Sequence, residues 1–584
     1  MFRVLIRLCV MKNSSFIKSL LFVLTMVLLL VFLAQKQNGF VPVKPLNGVL
    51  PSEPEPRFSW ESFRNSEYQA QAERYFREHY GFREPLIRLY NEFLFDCFRK
   101  TYTKEVVIGK DDWFYFEQHV NEYYGTEMYR WFDTNEEACA SFDREAQLMW
   151  KLRGVLQDYG IEFLVFMAPD KGFLYPEHLP DRERDTTTVN AREYYCDKFD
   201  EYGFPYIEMT KWFVEMKEAD TLPYSLMPQA GAHWNFSAVL AADSLFRFMG
   251  SLNGQRLPEL KIGPLHESSR EIKTGDRDLE NTLNLMRVLP HQDDKLLDAE
   301  VTVNRDSATI WPNVLFVGNS FLWRMHDYIP FDDMFHRSEY WFYNSTAHYG
   351  KNYTERSLVG SLDILQRILD NDYVVWFTDG NQMYKVSYGF AEQALMALCV
   401  SEDRIAEARF HVIDSLSRDE STMSQLGDDP RPEIKLGVMA YETIMKYPER
   451  YFPELMGDSI PTARNPRIPE VLVIKDIKQD SAWMANLKCQ TVIRNLSMDD
   501  VLKLEAQNVL NGRPLMRDEE DVFSREVYID GLVKAMEEQI RNNPQMMESI
   551  REKMKNNGMT LEEQIHADAA WIVNYQIEQG EIVF

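Results

Sequence analysis

Basic residues are in short supply. Lys and Arg number 64 against 91 Asp and Glu, a net charge of −27 over 584 residues. Phosphate backbones are bound by basic stripes, so nucleic acid is excluded as a partner. Ordinary surface solvation accounts for the acidity, which also suits neutral or cationic partners. Cysteine is scarce: six residues, at 9, 97, 139, 196, 399 and 489, scattered and without a C-x-x-C. With Cys9 in a basic N-terminal segment, the five that remain form no disulfide scaffold. The eleven histidines show neither H-E-x-x-H nor paired spacing, so no metal is expected, and no cofactor either. There is no convincing internal repeat or low-complexity tract, and only one long apolar run.

That run defines the N-terminus. Arg3, Arg7, Lys12 and Lys18 come first, and no acidic residue precedes Glu53. Ser19–Ala34 is uncharged and rich in Leu and Val; extended back through Phe16 and Ile17 it approaches bilayer-spanning length, with Lys18 placed to snorkel. Positive charge before the run predicts a cytoplasmic N-terminus and the bulk of the chain outside, as a single-pass signal anchor. Secretion after cleavage is the alternative, although Phe32 and Ala34 do not make a small-x-small site. Met11 offers a second start that still leaves a complete signal.

The length calls for more than one core. The expected divisions are 1–35 (basic segment and membrane helix), 36–56 (linker), 57–390 (an α/β domain) and 391–584 (an acidic, mostly helical domain). Trp60–Lys100 has helical periodicity with a break near Gly81 and Pro85. Val106–Phe116 reads as two β-type runs around Gly109-Lys110-Asp111-Asp112. Glu145–Tyr159 is a helix stopping at Gly160, followed by the apolar strand Ile161–Ala168. The same grammar recurs: helix Thr188–Tyr202 and strand Phe204–Ile207; strand Asn313–Val317 and a helix from Phe321; helix Ser357–Leu369 and strand Tyr373–Thr378. Helices alternating with nearly all-apolar strands describe a mainly parallel sheet buried on both faces. Near the end, Val527–Ile540 is amphipathic, Asn543-Pro544 opens a helix stopping near Gly558, and Thr560-Leu561-Glu562-Glu563 is a capping box.

Two short segments carry chemistry. Gly318-Asn319-Ser320-Phe321 is a small-residue turn after a strand, with a serine at its apex. Ala232-His233-Trp234-Asn235 is a histidine leading into an amphipathic helix. Serine and histidine together support acyl chemistry, the imidazole taking the hydroxyl proton and a carboxylate orienting the imidazole. Ser320 and His233 are the candidate catalytic pair, with backbone N–H groups near Ser320 as oxyanion donors. The competing assignments are an N-cap for Ser320 and a structural histidine beside Trp234. Asp170 and Asp379 fall, like Ser320, at the carboxyl ends of strands, where ligands gather in such sheets, and are the candidate orienting acids. Lys110 and Lys171 read as turn residues, and Trp113, Phe114 and Tyr115 as core with an option of stacking on sugars.

At these residues the chain resembles the alginate O-acetyltransferase (AlgX/AlgJ-like) branch of the SGNH-hydrolase superfamily. Gly109-Lys110-Asp111-Asp112-Trp113-Phe114-Tyr115 is similar to its G-K-D-G-W-L-F/Y segment. Pro169-Asp170-Lys171 with Tyr175-Pro176 and Leu179-Pro180 matches P-x-K…Y-P…L-P. Gly231-Ala232-His233-Trp234 occupies the D-x-H-W position, Thr274-Gly275-Asp276 the following G-D-L segment, and Gly318-Asn319-Ser320-Phe321 the place of G-D-S-F. The likeness spans roughly Trp60 to Phe390.

The resemblance implies an SGNH-like three-layer fold and, in active members, transfer of acetyl groups onto an exported polysaccharide in the cell envelope, with an acyl donor supplied in some cases through a membrane acyl-carrier partner protein. Two positions depart from the pattern. Gly231 stands where the orienting aspartate belongs, and Asn319 replaces the aspartate before the serine. Three functions remain open on the residues alone: an acyltransferase with an atypical triad acid, an acetyl-esterase, and a non-catalytic membrane-tethered protein that binds glycan or scaffolds a complex.

Overall fold

A computed structural model describes residues 2–48, 54–125, 135–219, 225–267, 274–290, 297–426, 431–516, 525–557 and 559–579. Its centre is a seven-stranded sheet. The strands, with a small N-terminal hairpin counted first, are β1 Val106–Ile108, β2 Phe114–Phe116, β3 Glu162–Ala168, β4 Tyr206–Glu208, β5 Asn313–Gly318, β6 Arg337–Phe342, β7 Thr346–Tyr349, β8 Glu355–Leu358 and β9 Tyr373–Asp379. The sheet order is β8-β7-β6-β5-β9-β3-β4. From β6 to β4 every pairing is parallel, while β7 and β8 add an antiparallel edge. β1 and β2 pair separately as the expected hairpin.

The apolar strands are buried because both faces are covered. Strand residues alternate between faces, and two separate cores follow the alternation. One holds Phe163, Val165, Met167, Leu315, Val317, Val374 and Trp376. The other holds Leu164, Phe166, Ala168, Val314, Phe316, Val375 and Phe377. The fold is therefore a three-layer α/β sandwich with a mixed, mainly parallel sheet, an N-terminal apolar helix and a helical C-terminal region.

The helices used below are α1 Phe2–Asn38, α2 Glu67–His79, α3 Arg83–Phe98, α4 Asn135–Gln157, α5 Ala191–Tyr202, α6 Ser237–Leu252, α7 Asp278–Leu283, α8 Phe321–His326, α9 Phe390–Cys399, α10 Ile468–Gln479, α11 Ser481–Arg494, α12 Met498–Leu510, α13 Arg525–Asn542, α14 Pro544–Asn557 and α15 Leu561–Glu578. Among the described residues, one helical stretch, Lys18–Asn38, is long and apolar enough to cross a membrane. The capping box at Thr560 forms as its sequence suggests, Thr560 Oγ1 accepting from Glu563 N and Glu563 reaching back to Thr560 N. The expected stop at Gly558 lies outside the described residues.

Two local expectations differ from the structure. The helix read over Ser357–Leu369 begins only at Ile364, because Glu355–Leu358 pairs with the edge strand β7 and Asp363 caps the helix by accepting from Gln366 N at 3.1 Å. The compositional change near Ala391 does not separate two cores. Ala391, Ala394, Leu395 and Leu398 of α9, then Ile444, Leu455 and Val471, belong to the first sheet-face core. Small independent cores appear further on: one joins the end of α10 to α11 and α12, and one joins α13, α14 and α15.

Candidate active site

β5 ends at Gly318, directly against β9. A Cβ at Gly318 would lie 2.0 Å from Phe377 O, so only glycine lets the two strands approach there. The chain then turns through Asn319 and Ser320 into the short helix α8. Ser320 occupies the N-cap position in helical conformation (φ −62°, ψ −14°), and its side chain makes no capping hydrogen bond. Asn319 does that work, its Oδ1 accepting from Phe321 N at 3.2 Å. The Ser320 hydroxyl is thereby left for another partner, and Ser320 Oγ lies 2.6 Å from His233 Nε2.

His233 arrives on the loop before α6, and that loop is held by a buried cation. Lys171 Nζ donates to Phe114 O (2.7 Å), Pro228 O (2.7 Å), Gln229 O (3.1 Å) and Gly231 O (2.6 Å), and it lies 5.1 Å from the Trp113 ring centre and 5.2 Å from that of Tyr115. A buried ammonium is tolerated only where such acceptors replace water. Lys171 is thus more than a turn residue: it ties the β2 hairpin to the histidine loop. Lys110 is exposed and pairs with Asp181 at 2.6 Å. Trp113, Phe114 and Tyr115 are all buried, as core residues. Trp234 Nε1 donates to Phe321 O at 3.0 Å, fixing the histidine loop to the serine turn.

The second ring nitrogen, His233 Nδ1, is hydrogen-bonded to Asp278 Oδ2. Neither Asp170 nor Asp379 touches His233. Asp170 accepts from Gly172 N (2.7 Å) and Phe173 N (3.3 Å) as a helix cap. Burial pushes its carboxyl up, with the nearby Asp379 charge adding to that and His119 opposing. Asp379 accepts from Asn319 Nδ2. That contact explains why residue 319 is an amide here, since an aspartate would set a second carboxylate against Asp379.

Asp278 is the residue that sequence reasoning missed. It opens α7, and its Oδ1 accepts from Ala232 N and Leu279 N, both at 2.8 Å. Burial alone would raise its carboxyl, but the charge and hydrogen bond of His233, the Ala232 N–H and the charge of Lys171 outweigh that and hold it below the usual range. The departure at Gly231 has a steric counterpart. A Cβ at 231 would lie 2.6 Å from Gly275 O and 2.9 Å from Asp276 O. The 275–278 segment fills the space a side chain at 231 would need, and from that segment Asp278 reaches the imidazole. Asp276 pins the segment to α8 through its buried pair with Arg324. The only signal in the sequence was an aspartate two residues beyond the Gly-Asp match, which spacing alone does not single out.

Ser320, His233, Asn319 and Asp379 line an open cleft of about 280 Å³ with Glu105, Glu117, Gln118, Gln382, Phe116, Phe321 and Tyr343. No Lys or Arg is among these lining residues. Tyr343 sits in the three-residue connection 343–345 between β6 and β7, where it and Asn344 both have φ 49°. Positive φ is uncommon for a bulky residue. Tyr343 N donates to Gly318 O at 2.7 Å, which holds its ring in the cleft wall beside Ser320.

Residues 106–331 match the family model described as "SGNH hydrolase-like domain, acetyltransferase AlgX". Among solved structures, the O-acetyltransferase domain of Pseudomonas putida AlgJ is 14% identical with a TM-score of 0.32, the match covering 48% of this chain and 92% of that one. Pseudomonas aeruginosa AlgX is 15% identical (TM-score 0.31; 49% and 67% covered), and Bacillus cereus PatB1 13% identical (TM-score 0.29; 48% and 99% covered). No curated protein matches the chain.

Proposed function

We propose, on the premise that residues 106–331 are an SGNH hydrolase-like domain of the AlgX acetyltransferase kind, that this chain is an envelope acyltransferase placing acetyl groups on a polysaccharide through Ser320, His233 and Asp278. The observation that carries the reading is the continuous contact Ser320 Oγ–His233 Nε2 (2.6 Å) and His233 Nδ1–Asp278. Ser320 Oγ attacks the acetyl carbonyl while His233 Nε2 takes its proton. Asp278 orients the ring and stabilises the imidazolium as the bond forms. The oxyanion is received by backbone N–H near Ser320, which lines the cleft; that of Asn319 is spent on Phe377 O at 3.2 Å. Collapse expels the donor's leaving group, which takes the proton from His233 and leaves acetyl-Ser320. An acceptor hydroxyl then gives its proton to His233, attacks the ester carbonyl and regenerates Ser320 as the sugar acetate departs.

The cleft lining carries Glu105, Glu117 and Asp379 and no Lys or Arg. Carboxylates repel a polyanion, so the acceptor in this reading is a neutral or amino-bearing glycan rather than a polyuronate. The stretch Lys18–Asn38 is the anchor, with the domain on the outer side of a bacterial inner membrane. Incubation with a chromogenic acetyl ester and, separately, neutral and uronate oligosaccharides tests the whole reading. Acetyl-Ser320 should be trapped by mass spectrometry, absent in Ser320→Ala, and discharged faster by neutral oligosaccharide than by uronate. No covalent acetyl in the native protein from several donors would reject catalysis and leave the glycan-binding scaffold; discharge to water alone would leave the esterase.

A further inference from the structure

α3 packs by one face and carries an apolar stripe on the other. Arg88, Asn91 and Phe95 face inward: Arg88 donates to Leu285 O (3.1 Å) and Pro45 O (2.7 Å), and Asn91 to Leu283 O (2.8 Å). On the opposite side Leu86, Leu89, Tyr90, Phe93 and Cys97 recur at i, i+3, i+4, i+7 and i+11, which is one stripe of an α-helix. All are exposed; Leu89 is 58% and Phe93 54% accessible. The stripe runs along a helix of about 24 Å.

The stripe is joined to α1 by packing. A Cβ at Gly81, just before α3, would lie 2.2 Å from Phe32 O, so that turn sits directly on the outer end of α1. Phe32 packs against Tyr80 and Phe82 with ring centres 6.4 and 6.2 Å apart, and Lys36 Nζ lies 4.3 Å from the Tyr75 ring centre. Charge changes sign here as well. Residues 57–104 hold nine Arg and Lys against seven Asp and Glu, in a chain of net charge −27.

We propose that α3 lies along the outer leaflet of the bilayer that α1 crosses, with Leu86, Leu89, Tyr90 and Phe93 sunk among the acyl-chain ends and the surrounding Arg and Lys at anionic headgroups. This rests on the reading of α1 as the anchor. An apolar stripe along a whole helix leaves water only if the axis lies along the surface it meets. A ring of Tyr and Phe at the exit of α1, with a lysine among them, is the composition of a membrane–water interface. The aromatic turn also fixes the height of the catalytic domain above the membrane, because α3 runs through Arg99–Lys104 straight into the Glu105 lip of the cleft.

The test uses the full chain in vesicles of phosphatidylethanolamine and phosphatidylglycerol. Cys97 carries a nitroxide, with Cys9→Ser, Cys139→Ser, Cys196→Ser and Cys489→Ser removing competing thiols and Cys399 left in its buried place. Accessibility is read with oxygen and with a water-soluble nickel chelate. Labels at Leu28→Cys and Phe410→Cys, each in a Cys97→Ser background, report the anchor and bulk water. The Cys97 label should favour oxygen several-fold over the Phe410 site, and Leu89→Glu with Phe93→Glu should abolish that preference while leaving the circular dichroism unchanged. A Cys97 label as open to nickel as Phe410, beside a protected Leu28 label, would overturn the proposal and keep the anchor; it would assign the stripe to a protein partner. Nickel access at both Leu28 and Cys97 would overturn both.

Discussion

The sheet-built region and the last hundred residues solve the problem of burial differently. On the sheet, two extended cores lie on opposite faces of shared strands, and they hold polar groups deep inside: Lys171, Asp170, Asn319 and Asp379 are all buried. Beyond α10 the helices close over a handful of residues each, such as Val533, Ile540, Ile550, Ile565, Ala569 and Val573. Holding an imidazole between a hydroxyl and a carboxylate needs surroundings that do not yield, which a large shared core supplies and a three-helix satellite does not. The part of the C-terminal half that matters to the site is therefore α9 to α10, which a boundary at Ala391 would exclude and the packing includes.

Truncation breaks the comparison with the largest effect. Ending the chain after residue 390 strips α9 and the residues through Val471 from one sheet face. Each large core side chain lost costs about 2–5 kcal/mol against a total of about 5–15 kcal/mol for a domain. That protein should show no cooperative transition in urea. Ending at residue 516 removes only α13–α15 and should leave both the transition midpoint and acetyl-Ser320 formation close to those of the full chain. Cooperative unfolding of the 390-residue form would show that α9–α10 is a separate unit.

Within the sheet region the decisive pair is Asp278 and Gly231. Asp278→Asn leaves the shape but not the charge that selects the imidazole tautomer, and should lower kcat for acyl transfer by about 10⁴. Gly231→Asp should not restore it. The new Cβ meets Gly275 O and Asp276 O, backbone atoms that cannot swing aside, so this variant should lose stability as well as activity. Recovery of activity in the double variant would show that the 275–278 segment yields and that the acid can sit at either place.

These two positions also measure how far the site was legible. Ser320 and His233 were readable because each stands at a patterned junction: an apolar strand ending in small residues, and a histidine-tryptophan pair opening a helix. Their contact is geometry from two strands away and was legible only through the resemblance. Asp278 was not legible, because it replaces Gly231 in space and not in sequence, forty-seven positions on. Asp170 and Asp379 do stand at strand ends, but one is consumed by a cap and the other by Asn319. The sheet's parallel centre followed from apolar runs, whereas the β7–β8 edge was missed because half-exposed strands such as Glu355–Leu358 carry too few apolar residues to show a period.

Tyr343 gives a smaller contrast inside the same cleft. Apart from Ser320 it brings the one hydroxyl among the residues lining the cleft, a group able to donate to an acyl oxygen as charge develops there. A neutral hydrogen bond of this kind is worth about 0.5–1.5 kcal/mol. Tyr343→Phe should therefore lower the acylation rate by about two- to tenfold, read as the pre-steady-state burst with a chromogenic ester. An unchanged burst rate would make the phenol a wall of the cleft and nothing more.

The smallest expected effect concerns the seam between α4 and α9. Ser387 Oγ donates to Glu145 Oε1 at 2.5 Å, and Arg144 bridges Glu392 and Glu449, both at 2.9 Å. Burial pushes the Glu145 carboxyl well above the usual range, the Glu392 charge adds to this, and Ser387 and Arg144 offset only part. A raised carboxyl means that the folded protein holds this proton more tightly than the unfolded chain. The contribution is fully present below the unfolded pKa of about 4.3 and is lost as pH rises toward the folded value. Glu145→Gln keeps an acceptor for Ser387 and removes the titration. The variant should match the native protein near pH 4 and exceed it in Tm by an amount that grows as the pH is raised to 7. A Tm difference that stays flat over that range, or falls, would mean Glu145 is ionised in the folded protein and paired with Arg144 across the seam.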